Sequence, residues 1–471
     1  MHKIFSFILI SGIFFSCQKE KKEVTISSNE FPSISNSDLE TAVIYEANIR
    51  QYSPEGTFEE FTKDIPEIKK LGVKIIWLMP IFPISETKRK ATGGVDSKFA
   101  SEFPKEEQSK YLGSYYAVSD FTKINPEFGT IDDFRQLIKT AHKNGIYVIL
   151  DWVPNHTGWD HKWLKTNPDF YTKNEKGEVT YPKDTDWTDV ADLNYDNIKL
   201  QEAMISDMLY WLHKENVDGF RCDVAGSVPA SFWQKAIPKL RAEKEIFMLA
   251  EAWEPELLKG NLFDMAYAWD GHHLFNGLAK GEKSIENLKE YIKNTYSERY
   301  ENDDILMNFV TNHDENSWNG TIKERMGERA EILTALSYML PGMPLIYSGQ
   351  EYDLSHRLKF FEKDSIPKLK GKSFALLKEL GKLKNTNAAL NGGKEKATFE
   401  VLDAGNNMFA LERSKNGKTI LFIANLSKYS TKFSLSRKGK YQDVLSNEYF
   451  ELNGNDEAIG FSAFQYKILV K

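Results

Sequence analysis

Cysteine is scarce in this chain. The 471 residues contain only two cysteines, Cys17 and Cys222. This excludes a framework of several disulfides, and because we expect Cys17 to be modified in another way, we predict no structural disulfide. Cys222 stands between Arg221 and Asp223 in a predicted strand, so strand alternation places its side chain on the opposite face from theirs. We therefore predict that Cys222 is a buried structural thiol rather than a reactive one.

A long block of basic residues is also missing. The chain has 61 Lys and Arg against 68 Asp and Glu, which gives a formal net charge of -7. A nucleic-acid-binding surface needs a concentrated basic face, so we expect no nucleic-acid partner, and a neutral substrate fits better. Hydrophobic residues make up 41% of the chain. The chain can therefore bury a large core, and we predict one large domain with smaller attachments.

No apolar run near the start is long enough to span a bilayer. The stretch at residues 4–15 follows Lys3 and is typical of a secretory signal, so residues 1–16 are predicted to be removed. Ser16-Cys17 resembles the processing site of a bacterial lipoprotein. This predicts a lipidated Cys17, a flexible tether over residues 17–39, and anchoring by lipid alone to the outer membrane or the periplasmic side of a bacterial membrane. The alternative is a plain signal peptide with an incidental cysteine.

From residue 42 onward, strand-like apolar runs alternate with amphipathic helical ones. Eight strand candidates can be counted, at residues 43–50, 73–79, 147–152, 217–223, 246–251, 263–268, 305–310 and 344–348. Eight parallel strands with eight crossovers predict a (β/α)8 TIM barrel, an α/β fold, over residues 40–391. The long loop at 157–196 is predicted to be a loop-rich insertion after the third strand. Short strand-like runs separated by turns predict an all-β sandwich domain at 392–471.

Polar residues follow the ends of four predicted strands. Asp151 ends the third strand, Arg221 and Asp223 end the fourth, Glu251 ends the fifth, and Asp314 follows the seventh. Catalytic groups of such barrels project from the C-terminal ends of the strands, so we expect these five side chains to meet in one cleft. A structural salt bridge or a helix cap would explain one such residue but not five at one rim.

A pair of carboxyl groups in this cleft fits the cleavage of glycosidic bonds. A retaining mechanism needs an acid and a nucleophilic carboxylate about 5 to 5.5 Å apart, and Asp223 and Glu251 stand on neighbouring strands. Arg221 should lower the pKa of Asp223, which makes Asp223 the nucleophile. We expect partial burial beside Trp253 and nearby carboxylates to raise the pKa of Glu251, the general acid and then base.

Four strings of residues resemble the four characteristic regions of the α-amylase family, glycoside hydrolase family 13. They lie at 151–156, 219–223, 251–253 and 309–314, and the resemblance extends over about residues 40–471. It implies an α-glucan or maltooligosaccharide substrate and no organic cofactor. It also implies that Asp314 stabilises the distorted sugar beside the nucleophile Asp223 and the acid/base Glu251. We expect a monomer.

The same resemblance implies which residues contact the sugar. Tyr116 would be a stacking platform, and His156 and His313 would bond sugar hydroxyls, although isolated histidines are more often structural. The full predicted substrate-binding set is Tyr116, His156, Arg221, His313, Asp151 and Trp253.

Two positions depart from the family pattern. Many α-amylases have Lys and His three and four residues after the nucleophile, where this chain has Gly226 and Ser227. The departure weakens the case for a cationic leaving-group subsite and for calcium. Asn155 and Asp192 match calcium ligands of the family, and oxygen donors suit Ca²⁺. The alternative is that these two residues only connect the insertion to the barrel by hydrogen bonds.

Several functions stay open at this point. We predict a retaining hydrolase of α-1,4-glucosidic bonds in starch, glycogen or maltooligosaccharides. Val224 and the segment from Asp192 also resemble family members that act as α-glucosidases, oligo-1,6-glucosidases or trehalose-forming transglycosylases, but the insertion is short for an oligo-1,6-glucosidase. An alternative of another class is a non-catalytic glycan-binding lipoprotein. Such proteins usually lose part of the triad, whereas Asp223, Glu251 and Asp314 are all present.

Overall fold

The computed structural model describes residues 31–94, 96–405, 408–454 and 458–471. The chain divides into two units, Met1–Pro32 and Ser33–Lys471, and every element below belongs to the second. The predicted signal, the predicted lipidation of Cys17 and most of the predicted tether fall outside the described residues. Within the described part of the chain, no helix combines the length and the apolar character needed to cross a membrane.

The first described helix overlaps the segment predicted to be tether. Helix α1 (Asn36–Thr41) starts at Ser35, whose side chain forms a capping box with the first turn. The buried carboxylate of Glu40 accepts hydrogen bonds from the amides of Gly393 and Glu395 at 3.0 and 2.6 Å. The structured part therefore starts earlier than the predicted tether boundary at residue 39, because α1 is bonded to the segment that follows the barrel.

The strands up to residue 347 are, in chain order, β1 (Ile44–Ala47), β2 (Ile75–Leu78), β3 (Tyr147–Trp152), β4 (His156–Gly158), β5 (Val190–Asp192), β6 (Gly219–Cys222), β7 (Phe247–Ala250), β8 (Met265–Tyr267), β9 (Ile305–Asn308) and β10 (Met343–Tyr347). Strands β4 and β5 pair with each other. The other eight close a parallel barrel in the order β1-β10-β9-β8-β7-β6-β3-β2. The predicted (β/α)8 barrel is confirmed.

Helices cover the outside of the barrel and connect its strands. They are α2 (Ile49–Tyr52), α3 (Phe58–Lys69), α4 (Ile131–Lys143), α5 (Lys162–Thr166), α6 (Ile198–Glu215), α7 (Ala230–Glu243), α8 (Trp269–Lys280), α9 (Ile285–Asn294), α10 (Ile322–Met326), α11 (Ala330–Met339) and α12 (Lys372–Thr386). Helix α4 shows why they form: Thr130 caps its first turn through Asp133, and every buried residue recurs at helical spacing on one face.

Cys222 ends strand β6 with its side chain packed in the barrel core. It has no exposed surface and no disulfide partner among the residues that the structure describes, and burial raises the pKa of its thiol well above the ordinary value. The prediction of a buried structural thiol is confirmed.

The insertion after β3 is more regular than the sequence indicated. Strands β4 and β5 pair antiparallel with His156 opposite Asp192, and α5 lies between them in the chain. This small sheet brings the two ends of the insertion together beside the C-terminal rim of the barrel.

The C-terminal part is built of antiparallel strands. They are β11 (Thr398–Leu402), β12 (Met408–Lys415), β13 (Lys418–Asn425), β14 (Thr431–Phe433), β15 (Lys438–Asp443), β16 (Tyr449–Asn453), β17 (Ile459–Phe461) and β18 (Tyr466–Val470). Six form a sheet in the order β11-β12-β13-β18-β15-β16, and β14 pairs with β17. The predicted all-β architecture is confirmed.

One face of the six-stranded sheet shares a hydrophobic core with the barrel helices. Phe409 and Phe422 of the sheet belong to the same buried cluster as Leu333 and Leu336 of α11. Arg413, which is buried, donates hydrogen bonds to the carbonyl groups of Met339 and Asn391, both at 2.8 Å. A second apolar cluster covers the other face of the sheet.

Candidate active site

Arg221 is the centre of a polar cluster at the C-terminal rim of the barrel. Its side chain has no exposed surface, and its Nη1 lies 2.8 Å from Asp151 Oδ1 and 2.8 Å from Asp223 Oδ1. Its Nη2 lies 2.8 Å from Glu251 Oε2, and its Nε donates to the hydroxyl of Tyr267 at 3.1 Å. One buried cation therefore faces three carboxylates at ion-pair distance.

The strand register explains why these side chains meet. Asp151 of β3 lies directly opposite Arg221 of β6. Asp223 follows β6 and Glu251 follows β7, and the amide of Glu251 continues the strand pairing with a bond to the carbonyl of Cys222 at 3.0 Å. Neighbouring parallel strands thus end at one height and present their next side chains to one another.

The pKa values of Asp223 and Glu251 are shifted in the directions opposite to those predicted from the sequence. Burial raises the pKa of Asp223 well above its ordinary value despite the nearby Arg221, and the carboxylates of Glu251 and Asp151 add to this rise. Burial also disfavours ionised Glu251, but Arg221 and the amide of Val224 outweigh it and lower the pKa of Glu251. The prediction was wrong because Arg221 approaches Glu251 as closely as it approaches Asp223.

Val224 holds Glu251 in this position. Its backbone has φ 37° and ψ 47°, in the left-handed region that a β-branched residue rarely adopts. This turn directs the Val224 amide to Glu251 Oε2, to which it donates at 2.7 Å. The carboxyl group predicted to protonate the leaving oxygen therefore accepts a hydrogen bond from a backbone amide, which favours its ionised form and contributes to its lowered pKa.

Tyr116 forms the floor of the cleft beside the carboxylates. Its hydroxyl donates to Asp151 Oδ2 at 3.1 Å and lies 2.8 Å from His313 Nε2. The rings of Tyr116 and His313 are stacked, with centroids 5.5 Å apart. A flat apolar surface of this kind can pack against the face of a sugar ring.

His313 carries a positive charge at neutral pH. Burial works against the charge, but Asp314 and Glu46 raise the pKa of His313 to about 9. Its Nδ1 lies 2.5 Å from Glu46 Oε1, and its Nε2 lies 3.4 Å from Asp314 Oδ2. Asp314 itself is partly open to the cleft, with 39% of its side chain exposed.

Glu46 is a site residue that the sequence did not reveal. It lies in β1 with no exposed surface, and its Oε2 has no hydrogen-bond partner among the described residues. One feature of the sequence could have indicated its role: Glu46 is an acidic residue inside an apolar run that is otherwise typical of a buried strand. A carboxylate in such a run needs a buried cation, which His313 provides.

His156 lies on another side of the same cleft and is neutral. Burial lowers the pKa of His156 to about 3, and its ring meets that of Trp187 with centroids 5.5 Å apart.

A second pair that the sequence did not reveal lies nearby: Lys90 Nζ is 3.7 Å from Asp189 Oδ1, and both side chains are buried. This pair connects the loop after β2 with the insertion.

The cleft encloses a cavity of about 420 Å³. Of the predicted site residues it is lined by Tyr116, His156, Asp223, Glu251, His313 and Asp314. Arg221 and Asp151 lie beneath the cavity. They contact residues that line it: Arg221 contacts Asp223 and Glu251, and Asp151 accepts a hydrogen bond from Tyr116. The volume is typical of a small-ligand site.

Trp253 lies farther out than predicted. It is 48% exposed, its carbonyl accepts bonds from Tyr300 and Arg299, and it is not among the residues that line the cavity in the described structure. Beside it, a Cβ on Gly226 would lie 3.0 Å from Glu254 Oε2. A carboxylate rather than a cation therefore occupies the space next to Gly226.

Asn155 and Asp192 lie close together at the base of the insertion. His156, which follows Asn155, pairs with Asp192 across β4 and β5, and Asn155 Nδ2 lies 3.2 Å from His156 Nδ1. Within the described residues, no group of three or more His, Cys, Asp or Glu side chains could hold a metal ion. These two side chains supply fewer than the six to eight oxygens that Ca²⁺ takes, so a calcium shell at this place would need backbone carbonyl groups or water as well.

The chain is similar in sequence to proteins of the alpha-amylase family. Residues 29–375 match the family model described as the alpha-amylase catalytic domain. An alpha-amylase of Haloarcula japonica is 24% identical over 433 residues, which cover 89% of this chain and 60% of that protein. This chain therefore spans less than two thirds of the length of that curated relative.

Two solved structures are similar over nearly their whole length. A noncanonic maltogenic alpha-amylase from Thermotoga neapolitana has a TM-score of 0.80 and 26% identity, with 92% of this chain and 99% of that chain covered. An alpha-amylase from Lactobacillus plantarum has a TM-score of 0.79 and 28% identity, with 92% and 100% covered.

The contact between Glu46 and His313 can be tested by a substitution. Glu46→Gln removes an anion that stabilises the charged ring, so the pKa of His313 should fall from about 9 toward about 7. NMR titration of histidine-labelled protein measures this value, with the signal assigned by its loss in His313→Gln. Glu351→Gln is the matched control, since that buried carboxylate bonds Tyr45 instead. An unchanged titration midpoint in Glu46→Gln would refute the assignment.

Proposed function

The chain belongs to the α-amylase family of glycoside hydrolases, and we propose that it is a retaining hydrolase that cleaves α-1,4-glucosidic bonds in starch, glycogen or maltooligosaccharides. Asp223 is the nucleophile, Glu251 the general acid and base, and Asp314 the residue that stabilises the distorted sugar. Relatives with similar architecture are named as amylases, which supports this class of substrate.

One observation carries the proposal. The single guanidinium of Arg221 lies 2.8 Å from Asp223 and 2.8 Å from Glu251, at the edge of a cavity floored by Tyr116. Two carboxyl groups that compete for one cation in a buried site cannot both remain charged without cost. One of them therefore keeps a proton, which is what an acid and a nucleophile in the same site require.

The first step forms a bond between the substrate and Asp223. A carboxylate oxygen of Asp223 attacks the anomeric carbon from one face while the bond from that carbon to the leaving oxygen breaks. Glu251 delivers its proton to the leaving oxygen, so the departing chain leaves as an alcohol and Glu251 becomes a carboxylate. Positive charge develops on the sugar in the transition state. The hydrogen bonds from the sugar hydroxyls to Asp314 become stronger there than in the bound substrate.

This step needs an ionised Asp223 and a protonated Glu251. Burial raises the pKa of Asp223, whereas Arg221 and the Val224 amide outweigh burial and lower the pKa of Glu251, so substrate binding must change both. When a glycosidic oxygen enters, Glu251 turns away from Arg221 and the Val224 amide toward that oxygen. Arg221 then acts mainly on Asp223, which lowers the pKa of Asp223 and transfers the proton to Glu251.

The second step reverses these roles. Glu251, now a carboxylate, takes a proton from a water molecule, and the water oxygen attacks the anomeric carbon as the bond to Asp223 breaks. Two inversions at one carbon restore the α configuration of the product.

The side chains around the bound sugar have separate tasks in this scheme. Tyr116 supports the ring, the charged His313 donates to a hydroxyl, and the neutral His156 bonds another hydroxyl without adding charge. On the leaving-group side Gly226 and Glu254 provide no cation. Since a charged hydrogen bond contributes about 1.5 to 3 kcal/mol, we expect long leaving chains to be held weakly and short maltooligosaccharides to be good substrates.

Turnover and product stereochemistry test this proposal. Wild-type protein should hydrolyse maltoheptaose, and NMR should show the α anomer as the first product. Asp223→Asn and Glu251→Gln should each reduce kcat by roughly 1000-fold or more because each removes a role in the transition state. Glu256→Gln changes an exposed carboxylate near the site and should retain wild-type kcat.

Other outcomes select other functions. Initial release of the β anomer would contradict the double displacement. Preferred turnover of isomaltose or trehalose in a panel with maltotriose and pullulan would favour the α-1,6 or trehalose-forming alternatives. Binding of maltoheptaose by calorimetry without turnover of any of these sugars would favour the non-catalytic, glycan-binding alternative.

We further propose that Asn155 and Asp192 connect the insertion to the barrel without calcium. The pairing of His156 with Asp192 and the bond from the Leu193 amide to the Asn155 carbonyl at 3.2 Å support this. Among the residues that the structure describes, no group of three or more His, Cys, Asp or Glu side chains could hold a metal ion. Excess EDTA should change the Tm by less than about 2 °C, since a bound ion would add stability that a chelator removes. A larger drop that Ca²⁺ restores would overturn the proposal.

We also propose that the mature protein begins at a lipidated Cys17 and stays on a bacterial membrane through its acyl chains. The apolar stretch at residues 4–15 and the Ser16-Cys17 pair support this. Mass spectrometry of the mature N-terminus should find the acylated cysteine, and Cys17→Ser should release the protein from membranes. An unmodified chain that starts elsewhere than residue 17 would refute it.

A further inference from the structure

Three aromatic side chains, Trp318, Phe360 and Phe361, form a cluster at one end of the cleft, which we call the aromatic wall. The ring centroids of Trp318 and Phe360 are 5.0 Å apart, those of Phe360 and Phe361 are 5.0 Å apart, and those of Trp318 and Phe361 are 5.9 Å apart. Trp318 comes from the segment after β9 and the other two from the segment after β10. Trp318 is 44% exposed, so part of its ring is open to solvent.

The long loop between β2 and α4 packs against the aromatic wall and holds it in place. Gly93 of this loop packs against Trp318 so closely that a Cβ on Gly93 would lie 2.8 Å from the indole ring. The amide of Leu112 donates to the carbonyl of Phe361 at 2.7 Å, and Tyr115 packs edge-on against Phe360 at 5.5 Å. Three loops from different parts of the chain therefore meet at the wall.

The aromatic wall has open space on both sides. One side is the 420 Å³ cleft that contains Asp223 and Glu251, and the other is an outer hollow of about 270 Å³ beside Arg357 and Lys359. All three rings line both spaces. The wall is thus a partition one layer of side chains thick, and without it the cleft would continue outward as a groove.

The position of Glu251 tells which end of the substrate meets the wall. Glu251 protonates the leaving oxygen, so the leaving group lies toward β6 and β7, where Gly226 and Trp253 are found. The aromatic wall belongs to the loops after β2, β9 and β10, across the barrel from β6 and β7. It therefore stands on the glycone side, the side whose sugar becomes bonded to Asp223.

We infer that the aromatic wall closes the glycone side of the cleft, so that the enzyme acts from the non-reducing end of an α-glucan and releases short products of one fixed length. The inference rests on the proposed hydrolase function. A free non-reducing end can stop against Trp318 and Phe360, whereas the interior of a chain would have to pass through the space that these rings occupy.

A substrate with a blocked end tests the aromatic wall. The two substrates are maltoheptaose and maltoheptaose with a 4,6-O-benzylidene group on its non-reducing sugar. For the wild-type protein kcat/KM should be at least about 100-fold lower on the blocked substrate, because the added ring clashes with the wall. Trp318→Ala joins the cleft to the outer hollow and should bring the two values within about 10-fold. Phe360→Ala should act in the same direction if Trp318→Ala folds poorly.

Trp253→Ala is the matched control, since it removes an exposed tryptophan on the leaving-group side. It should lower both kcat/KM values together and leave their ratio at the wild-type value. Equal rates on blocked and free maltoheptaose in the wild-type protein would overturn the inference while leaving the hydrolase function intact. A folded Trp318→Ala that keeps the wild-type ratio would overturn it as well. No cleavage of either substrate would instead refute the proposed function.

Discussion

A guanidinium without contact to water needs anions or other hydrogen-bond acceptors around it to remain charged, and for Arg221 this requirement shapes the rim of the barrel. Removing the charge of Arg221 from water is costly, and the cost is offset by three carboxylates at ion-pair distance and by aromatic rings whose faces it meets. A planar group with donors in several directions can do this, whereas a lysine ammonium presents one point of charge. The arrangement exists only where the ends of β3, β6 and β7 lie side by side, so the site depends on the pairing of these three strands.

The same arrangement makes Asp223 and Glu251 respond to each other. They share one cation, so a change in the position of one carboxylate alters the field at the other. Val224 supplies an extra donor to Glu251, and together with Arg221 it outweighs burial and lowers the pKa of Glu251. In the proposed mechanism, a sugar oxygen that draws Glu251 away from these two donors changes the field at Asp223 as well.

The sequence predicted the barrel and most of the rim because both follow from short-range patterns. Eight apolar runs marked the strands, and the polar residue at each strand end had to reach the rim. Other features depend on where distant segments meet. Glu46 reads as part of a buried strand until the structure places His313 beside it. The pKa order of Asp223 and Glu251 could not be predicted, because the direction in which Arg221 extends is set by packing. The aromatic wall joins three loops, and no local pattern relates Gly93 to Trp318.

The contact between the six-stranded sheet and the barrel determines how the chain can be divided. Phe409 and Phe422 belong to the barrel core, and from inside this contact Arg413 donates to the carbonyl of Met339, the last residue of α11. Separating the sheet would expose a continuous apolar face on each part and leave buried carbonyl groups without donors. The two parts should therefore unfold in a single cooperative transition. A shortened enzyme ending near Gly392 would be an aggregating fragment rather than a smaller working barrel, so the last eighty or so residues are part of the catalytic domain's own stability.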